Sequence, residues 1–464
     1  MKIISADYVL TMNSKLECIQ GGAILIDGAV IKQVGTLEEL SQQYPDVTVS
    51  KYPKSLLMPG LINTHCHSGL LHGTAEGLPV WDWLQQFIDP MHRVLTAEDA
   101  KIASYLCYAE ALLSGTTTIV DMWRFMDGSA EAAQQLGIRA VLVPYVAEHP
   151  DHDYFETLNS NEVLIQKWHQ AANGRIQIWV GLEHLFYAEE KALVRIQKLC
   201  HEYQTGFHTH SNESQFDIQE NLRRSGIRPI ESLQKLGLLD VPKTLLAHCV
   251  WADANEIQIL KQHAVGVAHN PISNMKLASG AAPIVEMLRQ GIAVGLGTDG
   301  EKENNNLDMF EEMKTASLLA KFSNLDAAAL DAWSVCQMAT ITGAKALGMQ
   351  HEIGSLEVGK QADLIAVKLD TPRMTPLIGQ GNLFNLHSNL VHAVQGQDVL
   401  MTMVAGQVLV ENGRLVRADL QTLIDQANQA ASRLFERRDL WFSQQRQVIN
   451  ELQRDKPGFT QMAD

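Results

Sequence analysis

Between residues 56 and 300 the chain repeats one pattern about eight or nine times: a short, unbroken apolar run followed by a stretch with helical spacing. The runs read "GLINTHCH", "TTTIVDMW", "RAVLVPYV", "IQIWVGLEH", "TGFHTH", "TLLAHC", "VGVAHN" and "AVGLGTD". Apolar on successive residues rather than on alternate ones, such runs are expected to be parallel strands covered on both faces. The intervening segments can supply the crossovers. In "TAEDAKIASYLCYAEALLSG", Thr96 and Asp99 form a capping box, Ile102, Tyr105, Leu106, Ala109, Leu112 and Leu113 recur at helical spacing, and Gly115 stands at the C-cap. This alternation predicts an α/β chain with a (β/α)8 TIM barrel over residues 58–360.

The flanks follow another rule. Residues 1–57 and 361–415 hold short alternating strands with turn signals at Asp27-Gly28 and Asn412-Gly413. Two β segments at opposite ends of the chain are expected to complete one small β-sandwich domain around the barrel. Residues 416–464 form a polar helical tail with Leu440, Trp441 and Phe442 as its expected docking residues; its expected use is packing or subunit contact in a homodimer or higher homo-oligomer.

With 464 residues, 46% of them hydrophobic, the chain can bury a large core, and its formal net charge of −16 disfavours nucleic acid and anionic membranes as partners. Six cysteines without a CxxC pair fit a reduced compartment, and Asp7 interrupts what would have to be a signal segment, so a cytoplasmic location is expected.

The chemistry sits where the strands end. His65 and His67, His184, His208 and His210, His248, His269 and Asp299 all fall at C-terminal ends of predicted strands, the rim at which barrels assemble active sites. Alternation along a strand puts His65 and His67 on one side and Cys66 on the other, a two-point grip for a divalent metal. By the same alternation His210, nearer the exit than His208, is the better ligand, and Glu213 stands in the turn above it as a candidate general acid. Asp299 can both ligate an ion and accept a proton from water, while His248 can hydrogen-bond the attacking oxygen or stabilise an oxyanion-like intermediate.

These residues carry a resemblance. "MPGLINTHCHSG", "HTHSNES", "LLAHCVWAD", "VAHNPISNMKLASG", "GLGTDG" and "NNNLDMFEEMKTASLLAK", closed by "IGSLEVGKQADLIAV", resemble the amidohydrolase superfamily. The likeness is nearest to the mononuclear branch that includes methylthioadenosine/S-adenosylhomocysteine, guanine and pterin deaminases and triazine hydrolases. It implies His65, His67, His210 and Asp299 as ligands of one divalent ion, Zn2+ in most relatives and Fe2+ in some. It also implies Glu213 and His248, with Asp299, as the catalytic acid–base groups. No lysine ends the fourth strand, as one does in binuclear relatives. The implied reaction is hydrolytic deamination of an amino-substituted N-heterocycle of pterin, purine or triazine type by a metal-bound hydroxide. The alternatives are displacement of chloride or an alkylamine from a triazine-like ring, or a non-catalytic metal-binding barrel. No organic cofactor is implied.

Substrate contacts depart from the relatives. "IRAVLVPYV" has Pro144 where adenosine-type deaminases tend to carry an arginine, and "DGEKENNN" places Glu303 where a small residue is common. Glu303 either pairs with a guanidine-like edge of the substrate or is a surface or helix-capping glutamate. Glu183 and His184 are candidate contacts to the ring, and His269 is expected to line the pocket rather than bind metal. Trp81, with Trp83, either covers the pocket or docks into the core.

Overall fold

The computed structural model describes residues 1–74, 77–379 and 381–454; positions 455–464 of the expected tail lie outside the described residues. The barrel strands are Leu61–Cys66, Thr116–Trp123, Arg139–Pro144, Ile176–Ile178 continued by Val180–His184, Phe207–Ser211, Thr244–His248, Gly266–His269 and Ala293–Leu296, all paired in parallel. The first strand joins the eighth through Leu296↔Asn63. On the opposite side the two pieces of the fourth strand pair with the third (Ala140↔Ile176) and the fifth (Val180↔Phe207). Between the pieces, the Trp179 N–H reaches Leu142 O at 3.0 Å and the Val180 N–H reaches Gly206 O at 2.8 Å, so the ring closes across the break. Gln177 apart, every residue of these strands is buried, which is why they read as unbroken apolar runs.

The crossover helix Ala97–Leu113 starts as its sequence dictates, with Thr96 and Asp99 reciprocally capped. Among the described residues no helix is long and apolar enough to cross a membrane.

Both ends of the chain build one mixed sheet. Val49–Pro59 lies parallel to Lys2–Leu10 and antiparallel to Leu364–Lys368, with Leu364 opposite Pro59. Gly22–Asp27 and Val30–Thr36 form a hairpin with Gly28 at φ +58°, and Gln407–Glu411 turns into Arg414–Leu415 through Asn412 and Gly413 at φ +50° and +71°. A separate core that includes Ile4, Ile24, Ile26, Leu57, Leu364 and Met403 holds this unit together. It is tied to the barrel by a buried ion pair: Arg139 Nε donates to Asp363 Oδ2 at 2.8 Å and Arg139 Nη2 to Oδ1 at 3.3 Å, while the Ala405 N–H donates to Oδ1 at 2.7 Å.

The tail helix Leu420–Arg454 corrects one expectation. It docks through Leu423, Ala427, Ala430 and Leu434, all buried, and not through Leu440, which is 59% exposed; Trp441 and Phe442 are half-buried. The small alanines in this stripe let the helix lie close to its neighbours. Arg437 adds a hydrogen bond from Nε to Val94 O at 3.0 Å and an ion pair with Asp99, so the carboxylate that caps one helix also anchors another.

Candidate metal and catalytic site

His67 and His210 owe their tautomers to carbonyls behind them, and His65 owes its tautomer to His208. His67 Nδ1–H donates to Met122 O at 2.6 Å and His210 Nδ1–H to Glu183 O at 2.8 Å. His208 Nδ1–H donates to Leu245 O at 2.9 Å, so its Nε2 accepts from His65 Nδ1–H at 2.8 Å. Each of His65, His67 and His210 therefore presents a bare Nε2 lone pair to the same point, and burial lowers the pKa of all three, keeping them neutral.

Asp299 reaches that point from the eighth strand. Its N–H donates to His65 O at 3.0 Å, and it holds φ +60°, a left-handed geometry that needs outside support. The support comes from the Gly300 N–H on Oδ1 at 2.9 Å and the Ser273 hydroxyl on Oδ2 at 2.7 Å. Gly297 makes the approach possible, because a Cβ there would run into Asn270 Oδ1 and the backbone of His65.

The resulting set is what a divalent cation requires. His67 Nε2 and His210 Nε2 stand 3.2 Å apart, and Asp299 Oδ1 lies 3.3 Å from His67 Nε2 and 3.5 Å from His65 Nε2. These are four electron-pair donors in a buried space, and His65 Nε2 has no hydrogen-bond partner among the described residues. Three neutral imidazoles and a carboxylate match the donor preference of Zn2+ or Fe2+.

The acid–base groups stand beside this set. His248, at φ +72°, donates from Nδ1 to Asn274 Oδ1 at 2.9 Å, leaving Nε2 3.8 Å from Asp299 Oδ2 and 3.9 Å from Glu213 Oε2. Glu213 is fixed through its backbone, its N–H donating to Asp217 Oδ2 at 2.8 Å where Ser214 and Asp217 cap the next helix. Burial pushes its carboxyl up to about 7, with Asp217 and Asp299 adding to the rise and His248 opposing it. Near neutrality this group holds a proton that it can give away.

One small cavity gathers His67, His210, Asp299, Glu213, His248, Glu183, His184 and Glu303, with Val80, Trp83, Leu84, Tyr145 and Leu277 as further walls. His65 lies behind them with 0% exposure. His184 donates from Nδ1 to Glu183 Oε2 at 2.6 Å, and the Tyr145 hydroxyl donates to Glu183 Oε1 at 3.1 Å. Burial would lower His184, but Glu183, Asp217 and Glu213 push it up to about 9, so the imidazolium carries an Nε2–H that no protein group accepts among the described residues.

Two expected contacts lie elsewhere. His269 is buried outside the cavity lining, neither ring nitrogen is hydrogen-bonded among the described residues, and burial takes it down to about 3. Trp81 stands one layer back, its Nε1–H donating to Ser214 Oγ at 3.1 Å and its ring 5.1 Å from that of His184; Trp83 lines the cavity in its place. Sequence reasoning passed over Ser273 and Tyr145. For Tyr145 the signal was available, since it follows the end of the third strand.

Residues 56–409 match the amidohydrolase family. The chain is 37% identical over 435 residues to the 5-methylthioadenosine/S-adenosylhomocysteine deaminase of Thermoanaerobacter pseudethanolicus, covering 92% of this chain and 98% of the relative. It is 39% identical to the 5'-deoxyadenosine deaminase of Methanosarcina mazei, covering 94% and 98%. Among solved structures, a zinc-bound adenosine deaminase from Xanthomonas campestris superposes with a TM-score of 0.87 at 30% identity, covering 94% of this chain and 98% of that one. The atrazine chlorohydrolase of Arthrobacter aurescens TC1 shares the fold, with a TM-score of 0.83 at 24% identity and coverage of 93% and 100%. With a family match spanning the barrel and relatives aligned over nearly their whole length, this chain belongs to the amidohydrolase family.

Proposed function

We propose that the chain is a metal-dependent hydrolytic deaminase that releases ammonia from an amino-substituted N-heterocycle of purine, pterin or triazine type. The observation that carries this reading is the convergence, in and directly behind one cavity, of three histidines and an aspartate with a carboxyl group that is protonated near neutrality.

His65, His67, His210 and Asp299 would hold the ion, which when bound lowers the pKa of a water and polarises it for attack. Asp299 Oδ2, opposite His248 Nε2, is placed to take a proton from the attacking water. His248, fixed by Asn274, orients that water toward the ring carbon bearing the amino group. Glu213 gives its proton to the adjacent ring nitrogen, takes the proton of the added hydroxyl to give to the departing amine, and is restored by the proton that Asp299 accepted. The need for that acid favours amine loss over chloride displacement, since chloride leaves without a proton. His184 Nε2–H offers a ring acceptor one further hydrogen bond.

The test is an ammonia-release assay across adenosines, guanines, pterins and aminotriazines. Ammonia from at least one ring is expected; chloride or alkylamine release from triazines with no ammonia from any ring would replace the reading. Treatment with a chelator is expected to abolish turnover and Zn2+ to restore it. In a thermal melt, added Zn2+ is expected to raise the midpoint of the chelator-treated wild type and to leave that of Asp299→Asn nearly unmoved, because an ion bound only by the folded chain stabilises by mass action.

A further inference from the structure

One wall of the cavity is held from outside the barrel. Val80, Trp83 and Leu84 line the cavity from a single helical segment that runs through Val80–Trp83, Leu84–Ile88 and Asp89–Val94 without a break. Its middle turn is a π-turn, in which the Asp89 N–H donates to Leu84 O, five residues back. Pro90 accounts for the widening, because it has no N–H for Gln86 O and its ring crowds that carbonyl. A turn one bond short has little of its own to fix how far Trp83 and Leu84 are rotated toward the cavity.

Contacts with other elements fix it instead. At the near end the Trp81 Nε1–H donates to Ser214 Oγ at 3.1 Å, and at the far end Arg437 Nε of the tail helix donates to Val94 O at 3.0 Å. Between these two points stands Phe87. Val80, Trp83, Leu84 and Phe87 are spaced to share one face of a regular α-helix, but the wider turn takes Phe87 off that face, and it is not part of the cavity lining. It meets the tail. The Arg438 guanidinium lies 5.3 Å from the centre of the Phe87 ring and 4.9 Å from that of Phe442, which stands one turn further along the tail. With its side chain 19% exposed, Arg438 is a cation largely out of water, shared by one ring of the tail and one ring of the π-turn.

Resting on the deaminase reading, we propose that Arg438 is a positioning residue: bridging Phe87 and Phe442, it holds the π-turn so that Trp83 and Leu84 close on the bound ring. A contact can bias a conformation by no more than the free energy it contributes to one state over the other. For a cation on aromatic rings that ceiling is about 3- to 30-fold in the population of the held turn, and hence in apparent affinity.

The experiment labels the eight tryptophans with 5-fluorotryptophan and identifies the Trp83 resonance as the one lost in Trp83→Phe. Arg438→Met keeps an apolar stem and removes the guanidinium. It is expected to shift or broaden the Trp83 resonance and to raise KM, for the ring that releases ammonia fastest, by about 3- to 30-fold, with a smaller change in kcat because the acid–base groups do not lie on this segment. Arg438→Lys, which keeps a cation over the rings, is expected to recover part of both. Phe87→Leu is expected to behave as Arg438→Met does, and serves if that variant does not fold. Leu423 stands about 22 Å before Arg438 along the tail helix, so Leu423→Ala is expected to lower the melting midpoint and to leave the Trp83 resonance and KM in place.

An unmoved Trp83 resonance or an unchanged KM in folded Arg438→Met or Phe87→Leu would overturn the proposal, as would Leu423→Ala moving both readouts to the same degree. Absence of ammonia from every ring counts against the deaminase reading alone, because the Trp83 resonance still decides whether Arg438 holds the wall.

Discussion

Glu213→Gln is expected to lower kcat by about 10²- to 10⁴-fold, the range lost when a positioned proton donor is removed. The amide keeps the size of the side chain and cannot give a proton to a ring nitrogen. Because Glu213 lies in the turn beyond His210 and outside the donor set, the variant is expected to retain the bound ion, measured by metal analysis of the purified protein. The pH profile makes a sharper test. A carboxyl raised to about 7 is protonated below that pH and ionised above it, so wild-type activity should decline as pH rises through the neutral region. The residual activity of Glu213→Gln should lack that alkaline limb. A variant with near wild-type kcat would remove Glu213 from the reaction.

Arg139→Met is expected to cost about 3–5 kcal/mol of stability, read as a fall in the denaturant midpoint. The loss exceeds the worth of the ion pair itself because Asp363, only 4% exposed, would keep its charge without its partner. Arg139→Met/Asp363→Asn should recover part of it, since the neutral amide oxygen can still accept from the Ala405 N–H. Equal destabilisation of the single and double variants would show that packing of the arginine stem, and not charge, joins barrel to sheet.

The ring of strands was legible because parallel strands buried on both faces leave a plain trace in sequence, and because chemistry gathers at their C-terminal ends. Two-residue alternation pairs His65 with His67 and His208 with His210, whereas the set of His65, His67, His210 and Asp299 came from the family resemblance, Asp299 lying beyond the end of its strand at Leu296. What sequence did not disclose is set by packing between distant elements. Trp81 and Trp83 are two residues apart on one helical turn, so they point roughly 200° apart and one alone can face the cavity; which one depends on where the helix rests. His269 ends its strand as the ligands do, yet lies outside the lining. In the tail, the mass of Leu440 and its neighbours outweighs the alanines that make the contact, although Leu423, Ala427, Ala430 and Leu434 already stand at helical spacing. Glu303 was ambiguous because a glutamate after a strand is ordinarily solvated, and only the short turn Glu301–Asn304 buries it.

The pairing of Pro59 with Leu364 has a consequence for how the chain is made. The N-terminal strands leave the ribosome without the neighbour they need and, at about 5–20 residues per second, wait roughly 15–60 s for it to be synthesised. During that interval the edge of Val49–Pro59 that later receives Leu364–Lys368 is an open template for any other extended segment. The nascent protein therefore depends on prompt collapse of the barrel to bring its two ends together, and slowed translation between them is expected to lower the yield of correctly joined molecules.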